Sequence, residues 1–180
     1  MALDLPRRIV EIHHALDDAS LPHAFGGALS LAWCTQRARA TIDIDVNVFV
    51  PADRADGVLR ALPDGVAHTD AELDRLVRDG QVRVWWEGTP VDLFLNTTEY
   101  HEQVAGRVRL EPFMSEMIPF LACSDLAVFK AFFDRSKDWV DLEEMISAGA
   151  LDATMVLGTL TLYLGGDDHR IARLRGMLAT

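Results

Sequence analysis

The chain has 180 residues, 49% hydrophobic, 25% charged and 8% aromatic. This balance excludes wholesale disorder and collagen-like or coiled-coil structure, and a chain this long buries about 70% of its unfolded surface without a disulfide or structural metal. Seventeen basic against 28 acidic residues leave a net charge of -11, which disfavours broad, sequence-independent contact with phosphate backbones but leaves room for a local basic groove.

Leu5, Ile9, Ile12 and Leu16 recur at helical spacing behind Pro6, so residues 6 to 18 are predicted to form an amphipathic helix. The opening MALDLPRRIVEI carries an acid and a proline where a secretion signal needs a basic and then an apolar segment, and a cytoplasmic location is expected. A short apolar stretch from Leu21 to Phe25 meets Gly26-Gly27 and is followed by a helix-compatible segment, Ala28 to Gln36. The pattern is strand, glycine turn, helix.

From Thr41 to Val50 the residues alternate. Ile42, Ile44, Val46 and Val48 fall on one face of a predicted strand, and Thr41, Asp43, Asp45 and Asn47 on the other. Two helical patterns, about 53 to 62 and 70 to 78, flank the turn-forming Pro63-Asp64-Gly65. QVRVWW and VDLFLN then read as an antiparallel pair joined through Glu87-Gly88-Thr89-Pro90. Trp85 and Trp86 fall on opposite faces, one in the core and the other available for stacking.

Between residues 97 and 122, Pro112 and Pro119 limit regular structure to one further strand near Arg107 to Leu110. A boundary is placed here, giving a core over 1–120 and a helical segment over 121–180. Ser124 is the expected N-cap of a helix over 125–135, a second helix covers 138–147, and Asp152 and Asp167 open two more. The densest apolar stretch, Met117 to Phe133, is interrupted by Ser124, Asp125 and Lys130, so no membrane partner is expected. The two cysteines, Cys34 and Cys123, are far apart and lack a CxxC or a Cys/His cluster, which predicts packing residues rather than a disulfide or a zinc site.

Three features can carry chemistry. Asp43 and Asp45 lie two apart on a strand, so both carboxylates project from one side, where they can converge on a hard cation such as Mg²⁺ or simply face water. Gly26-Gly27 lets bare backbone N–H groups and the positive end of a helix dipole approach a phosphate. Asp92 sits in an otherwise apolar strand, where a carboxylate needs a cation or a partner such as Arg83.

Taken together, FGGALSLAW, TIDIDV and WWEGTPVDLF resemble the polymerase-beta-type nucleotidyltransferase superfamily over about residues 20 to 96. The resemblance implies an α/β (α+β) fold, with a mixed β-sheet flanked by helices and a C-terminal helical segment. It implies a nucleoside triphosphate held at Gly26 and Gly27, two Mg²⁺ ions bound by Asp43 and Asp45, and Asp92 assisting the attacking hydroxyl. The same chemistry would move a nucleoside monophosphate to a hydroxyl of RNA, such as a tRNA end, or of a small molecule.

The stretch DLAVFKAFFDRSKDWVDLEEMI is similar to the helical segment of a bacterial branch that includes toxins of abortive-infection-type toxin–antitoxin pairs. That similarity implies a phosphate contact for Lys130, an orienting role for Asp138 and Asp141, and an antitoxin protein as partner. The chain departs from the superfamily pattern after the glycines, where Ala28 and Leu29 stand in place of a serine or threonine and Ser30 is the first hydroxyl. An inactive nucleotide-binding or protein-interaction scaffold on the same fold is the alternative this departure supports.

Overall fold

The computed structural model describes residues 4–179; residues 1–3, part of the stretch read against a secretion signal, and residue 180 lie outside the described residues. The chain divides into two compact units. A sheet unit comprises the described residues through Leu29 together with Ala40–Leu121, and a helical unit comprises Ser30–Arg39 with the residues from Ala122 onward.

In the sheet unit, helix α1 (Leu5–Asp18) begins where Asp4 accepts a hydrogen bond from the Arg7 N–H at 3.2 Å, with Pro6 in its first turn. Its apolar stripe, Ile9, Ile12 and Leu16, is fully buried. Strand β1 (His23–Phe25) leads through Gly26 into α2 (Gly27–Thr35), and β2 covers Ile44–Pro51. The expected strand start at Thr41 is therefore too early. Ile42, assigned to the apolar face, is 80% exposed, because Thr41 and Asp43 bond to each other rather than to a neighbouring strand.

Helices α3 (Ala55–Ala61) and α4 (Asp70–Asp79) bracket a two-residue strand, β3 (Val66–Ala67). Thr69 and Glu72 form a reciprocal cap that opens α4. The hairpin β4 (Gln81–Trp86) and β5 (Thr89–Asn96) forms as expected, with Trp86 buried and Trp85 48% exposed.

The region after Asn96 is more regular than its prolines suggested. It contains α5 (Glu99–Ala105), β6 (Arg109–Phe113) and β7 (Glu116–Phe120), where a single strand was expected. Pro112 is tolerated because β6 lies at the sheet edge, and Pro119 because β7 pairs with β1 only at Phe25 and Phe120. The seven strands form one mixed sheet in the order β3-β4-β5-β2-β1-β7-β6, with β2 parallel to β5 and antiparallel to β1. Phe25, Ile44, Val46, Leu93 and Phe120 fill its core.

The helical unit takes in the rest of α2, then α6 (Cys123–Phe133), α7 (Ser136–Ser147), α8 (Ala153–Leu164) and α9 (His169–Leu178). Ser124 lies inside α6 and does not cap it; its hydroxyl oxygen accepts from the Asp152 N–H at 2.9 Å. Asp152 caps α8 as expected, whereas α9 is capped by Asp168 rather than Asp167.

The two cysteines correct a sequence expectation. Cys34 and Cys123, assigned to separate packing roles, form a disulfide across Cα atoms 5.5 Å apart. Spacing along the chain gave no sign of it, since the bond joins positions 89 residues apart. Closing a loop of that length reduces the entropy of the unfolded chain by an amount worth on the order of 4 kcal/mol.

Candidate functional site

The sheet unit brings five of the seven singled-out residues to one region. Gly26 ends β1, and its N–H donates to the Asp45 carbonyl at 2.9 Å, holding the glycine turn against β2. Gly27 has φ +53°, a left-handed conformation that side chains disfavour. A Cβ there would lie 1.8 Å from Asp45 Oδ2. The glycine is required because the Asp45 carboxylate occupies the space a side chain would need. A Cβ on Gly26 would in turn meet Asn47 Nδ2 at 3.0 Å and Leu121 Cδ1 at 3.1 Å.

Register sets the remaining carboxylates. Asp45 pairs with Asp92 across the parallel β2–β5 ladder, and Asp92 pairs with Arg83 across the antiparallel β4–β5 ladder. Side chains directly opposite in a ladder share a face, so Asp45, Asp92 and Arg83 stand side by side. Asp43 precedes β2, where the Thr41 hydroxyl donates to its Oδ1 at 2.6 Å.

Arg83 is the cation of this group. Its Nε and one terminal nitrogen donate to the two oxygens of Asp92 at 2.7 and 2.6 Å, a two-pronged contact that fixes both side chains. The same terminal nitrogen lies 3.6 Å from Asp43 Oδ2. The hydrogen bonds that Arg83 donates to Asp92, aided by the charges of Asp92, Asp43 and Asp45, outweigh the cost of partial burial and hold the guanidinium firmly protonated. All four side chains keep some contact with solvent or lie in intermediate burial.

Among the described residues, no group of three or more His, Cys, Asp or Glu side chains is gathered tightly enough to hold a metal ion. The donor set nonetheless suits a hard divalent cation. It offers carboxylate oxygens only, and it already attracts a cation, Arg83, to Asp92 and Asp43. Asp43, Asp45 and Asp92 are the residues that would hold such an ion.

Ser30 and Lys130 belong to the helical unit. Ser30 is fully buried in α2. Lys130, on α6, is 7% exposed, and its Nζ donates to Asp141 Oδ2 at 2.6 Å, with Asp138 Oδ1 at 3.7 Å. Asp141 Oδ1 faces Arg39 at 2.5 Å, and Arg39 also reaches Glu144 at 3.4 Å. Asp138, fully buried, accepts from Arg135. Lys130, Arg39 and Arg135 thus stand against Asp138, Asp141 and Glu144 as a balanced network.

Sequence reasoning missed two participants. Arg83 entered only as a possible partner for Asp92, although an arginine opposite an aspartate in a predicted hairpin was a readable signal. Asn47, 7% exposed beside Gly26, lies on the same alternating face as Asp43 and Asp45 and was read only as part of that face.

No protein-family model matches the chain, and no curated protein matches it in sequence. Solved structures do match. The crystal structure of ANT(2'')-Ia in complex with adenylyl-2''-tobramycin aligns with a TM-score of 0.57 at 13% identity, covering 95% of this chain and 97% of that one. The solution structure of the antibiotic-resistance factor ANT(2'')-Ia aligns with a TM-score of 0.54 at 14% identity, covering 97% and 90%. The mixed sheet and its helices therefore have a nucleotidyltransferase-like fold, shared along nearly the whole length of the chain.

Proposed function

We propose that the protein is a nucleotidyltransferase that moves a nucleoside monophosphate from a nucleoside triphosphate to a hydroxyl acceptor. The observation that carries this reading is the register of β1, β2 and β5, which sets Asp45 against the Gly26-Gly27 turn and beside Asp92. A phosphate chain needs close backbone approach and a nearby cation site, and these residues offer both.

Asp43, Asp45 and Asp92 would hold Mg²⁺, which when bound neutralises phosphate charge and lowers the pKa of the acceptor hydroxyl. Gly27 leaves the start of α2 without a side chain, so the triphosphate can approach backbone N–H groups there. Asp92, once released from Arg83, is the carboxylate available to accept the acceptor's proton. Ser30, buried in α2, and Lys130, bonded to Asp141, are the further residues that the resemblance assigns to the nucleotide.

Of the acceptors considered, a small molecule is favoured over RNA by the net charge of -11, and over a toxin's target by the resistance factor that shares the fold. The scaffold reading also draws on an observation: Asp92 is already satisfied by Arg83, as a purely structural carboxylate would be.

Thermal unfolding with ATP, GTP, CTP or UTP, with and without Mg²⁺, tests the assigned site. A nucleotide at a hundred times its dissociation constant should stabilise the protein by about 2.7 kcal/mol. That shift should require Mg²⁺ and vanish in Asp43→Asn/Asp45→Asn. Stabilisation that persists in the double variant would refute the assigned site, and no shift with any nucleotide would favour the scaffold.

A further inference from the structure

The three aspartates of the candidate site do not face solvent as a free anionic cup. The guanidinium of Arg83 grips both oxygens of Asp92 and leans toward Asp43 Oδ2 at 3.6 Å. The pairing is built into the fold, because Arg83 and Asp92 are directly opposite in the β4–β5 ladder and both strands are pinned by buried neighbours, Val82, Val84, Val91 and Leu93. The side chain can move even so, since it is 46% exposed while its backbone is held.

We propose that Arg83 is a resident cation of the site: it occupies the position from which Asp92 and Asp43 would grip a divalent ion, so that loading the ion requires the guanidinium to leave Asp92. The inference rests on the nucleotidyltransferase reading for its purpose, but not for its physics. Two carboxylate oxygens cannot both bond a guanidinium and coordinate an ion in the same directions. A like charge a few ångströms away also repels an incoming dication. With Arg83 in place, the aspartates are held in order and weakly attractive to metal. An anionic phosphate chain offers the guanidinium a second bidentate partner, which makes metal loading follow nucleotide arrival. Arg83 is in this sense a positioning residue, acting through Asp92.

Titration of Mn²⁺ into the nucleotide-free protein, read by the electron paramagnetic resonance signal of free Mn²⁺, tests this directly. Arg83→Gln should bind Mn²⁺ about tenfold tighter than the wild type, reflecting the loss of a charge-assisted pair that competes with metal. Arg83→Lys, which keeps the charge but not the fork, should fall between them. Adding Asp92→Asn to Arg83→Gln should remove the gain. Equal or weaker binding by a folded Arg83→Gln, or no binding by either protein into the millimolar range, would overturn the proposal. Circular dichroism melting of each variant establishes folding. Because no nucleotide is present, failure here leaves the transfer reading standing, while failure of transfer leaves the metal competition intact.

Discussion

The protein contains two clusters of opposite charges, and they differ in balance and burial. On the sheet, Asp43, Asp45 and Asp92 gather beside Arg83, which pairs with Asp92 and Asp43, and the group keeps contact with solvent. In the helical unit, Lys130, Arg39 and Arg135 share five ion pairs with Asp138, Asp141 and Glu144, and Lys130, Asp138 and Asp141 are buried. A buried cluster must balance, because an uncompensated charge away from water costs several kcal/mol. A partly exposed cluster can carry surplus charge, and that surplus is the capacity to bind something. The same residue types therefore serve as scaffold in one place and as candidate site in the other.

The largest expected stability effect lies in the balanced cluster. Lys130→Met removes the cation bonded to Asp141 and should destabilise folding by about 4 kcal/mol, since it strands buried carboxylate charge. Asp45→Asn in the surplus cluster should change stability by less than about 1 kcal/mol, because it relieves like charge at a half-buried position. Chemical denaturation of both variants measures the contrast. Comparable losses in the two would erase the distinction between scaffold and site.

A smaller effect concerns the buried His23 and the half-buried His13 beside it. His23 lies on β1, where its Nδ1 bonds the Leu21 carbonyl at 2.8 Å and its Nε2 lies 2.9 Å from His13 Nδ1. Burial lowers the pKa of both rings below 6.5. The folded state then binds fewer protons than the unfolded chain, so stability is complete above pH 6.5 and falls as the pH drops below it toward the folded-state values. The slope is at most about 1.4 kcal/mol per pH unit for each ring. Melting temperatures between pH 8 and pH 5 should show this fall, and His23→Gln should reduce it. An unchanged pH profile in that variant would show that the acid sensitivity lies elsewhere.

Much of the sheet was legible because alternation and register are local. The apolar face of β2 from Ile44 to Val48 and the β4–β5 hairpin follow from period-two patterning, whereas the parallel β2–β5 register that sets Asp45 beside Asp92 joins distant segments and does not. Sequence reading failed where tertiary context decides. The prolines of β6 and β7 argued against strands, yet an edge position and a single-residue pairing with β1 remove the need for the missing N–H groups. Helix α5 escaped notice although Tyr100 and Val104, four apart, form its buried stripe. The disulfide was unreadable because no local pattern links Cys34 to Cys123. Around the candidate site, the aspartates and glycines stood out by spacing. The contact of Asp138 and Asp141 with Lys130 was expected from the resemblance of that helical stretch, while the burial of Ser30 depends on packing that no motif encodes.

The central claim, that the surplus carboxylates on the sheet carry out nucleotidyl transfer, is tested most directly by following a labelled nucleoside triphosphate with Mg²⁺ and hydroxyl-bearing small molecules. The wild type should attach the labelled monophosphate to an acceptor and release pyrophosphate, and Asp45→Asn, folded to the same degree, should be slower by on the order of a thousandfold, about 4 kcal/mol. A folded Asp45→Asn that transfers the label at the wild-type rate would contradict the account.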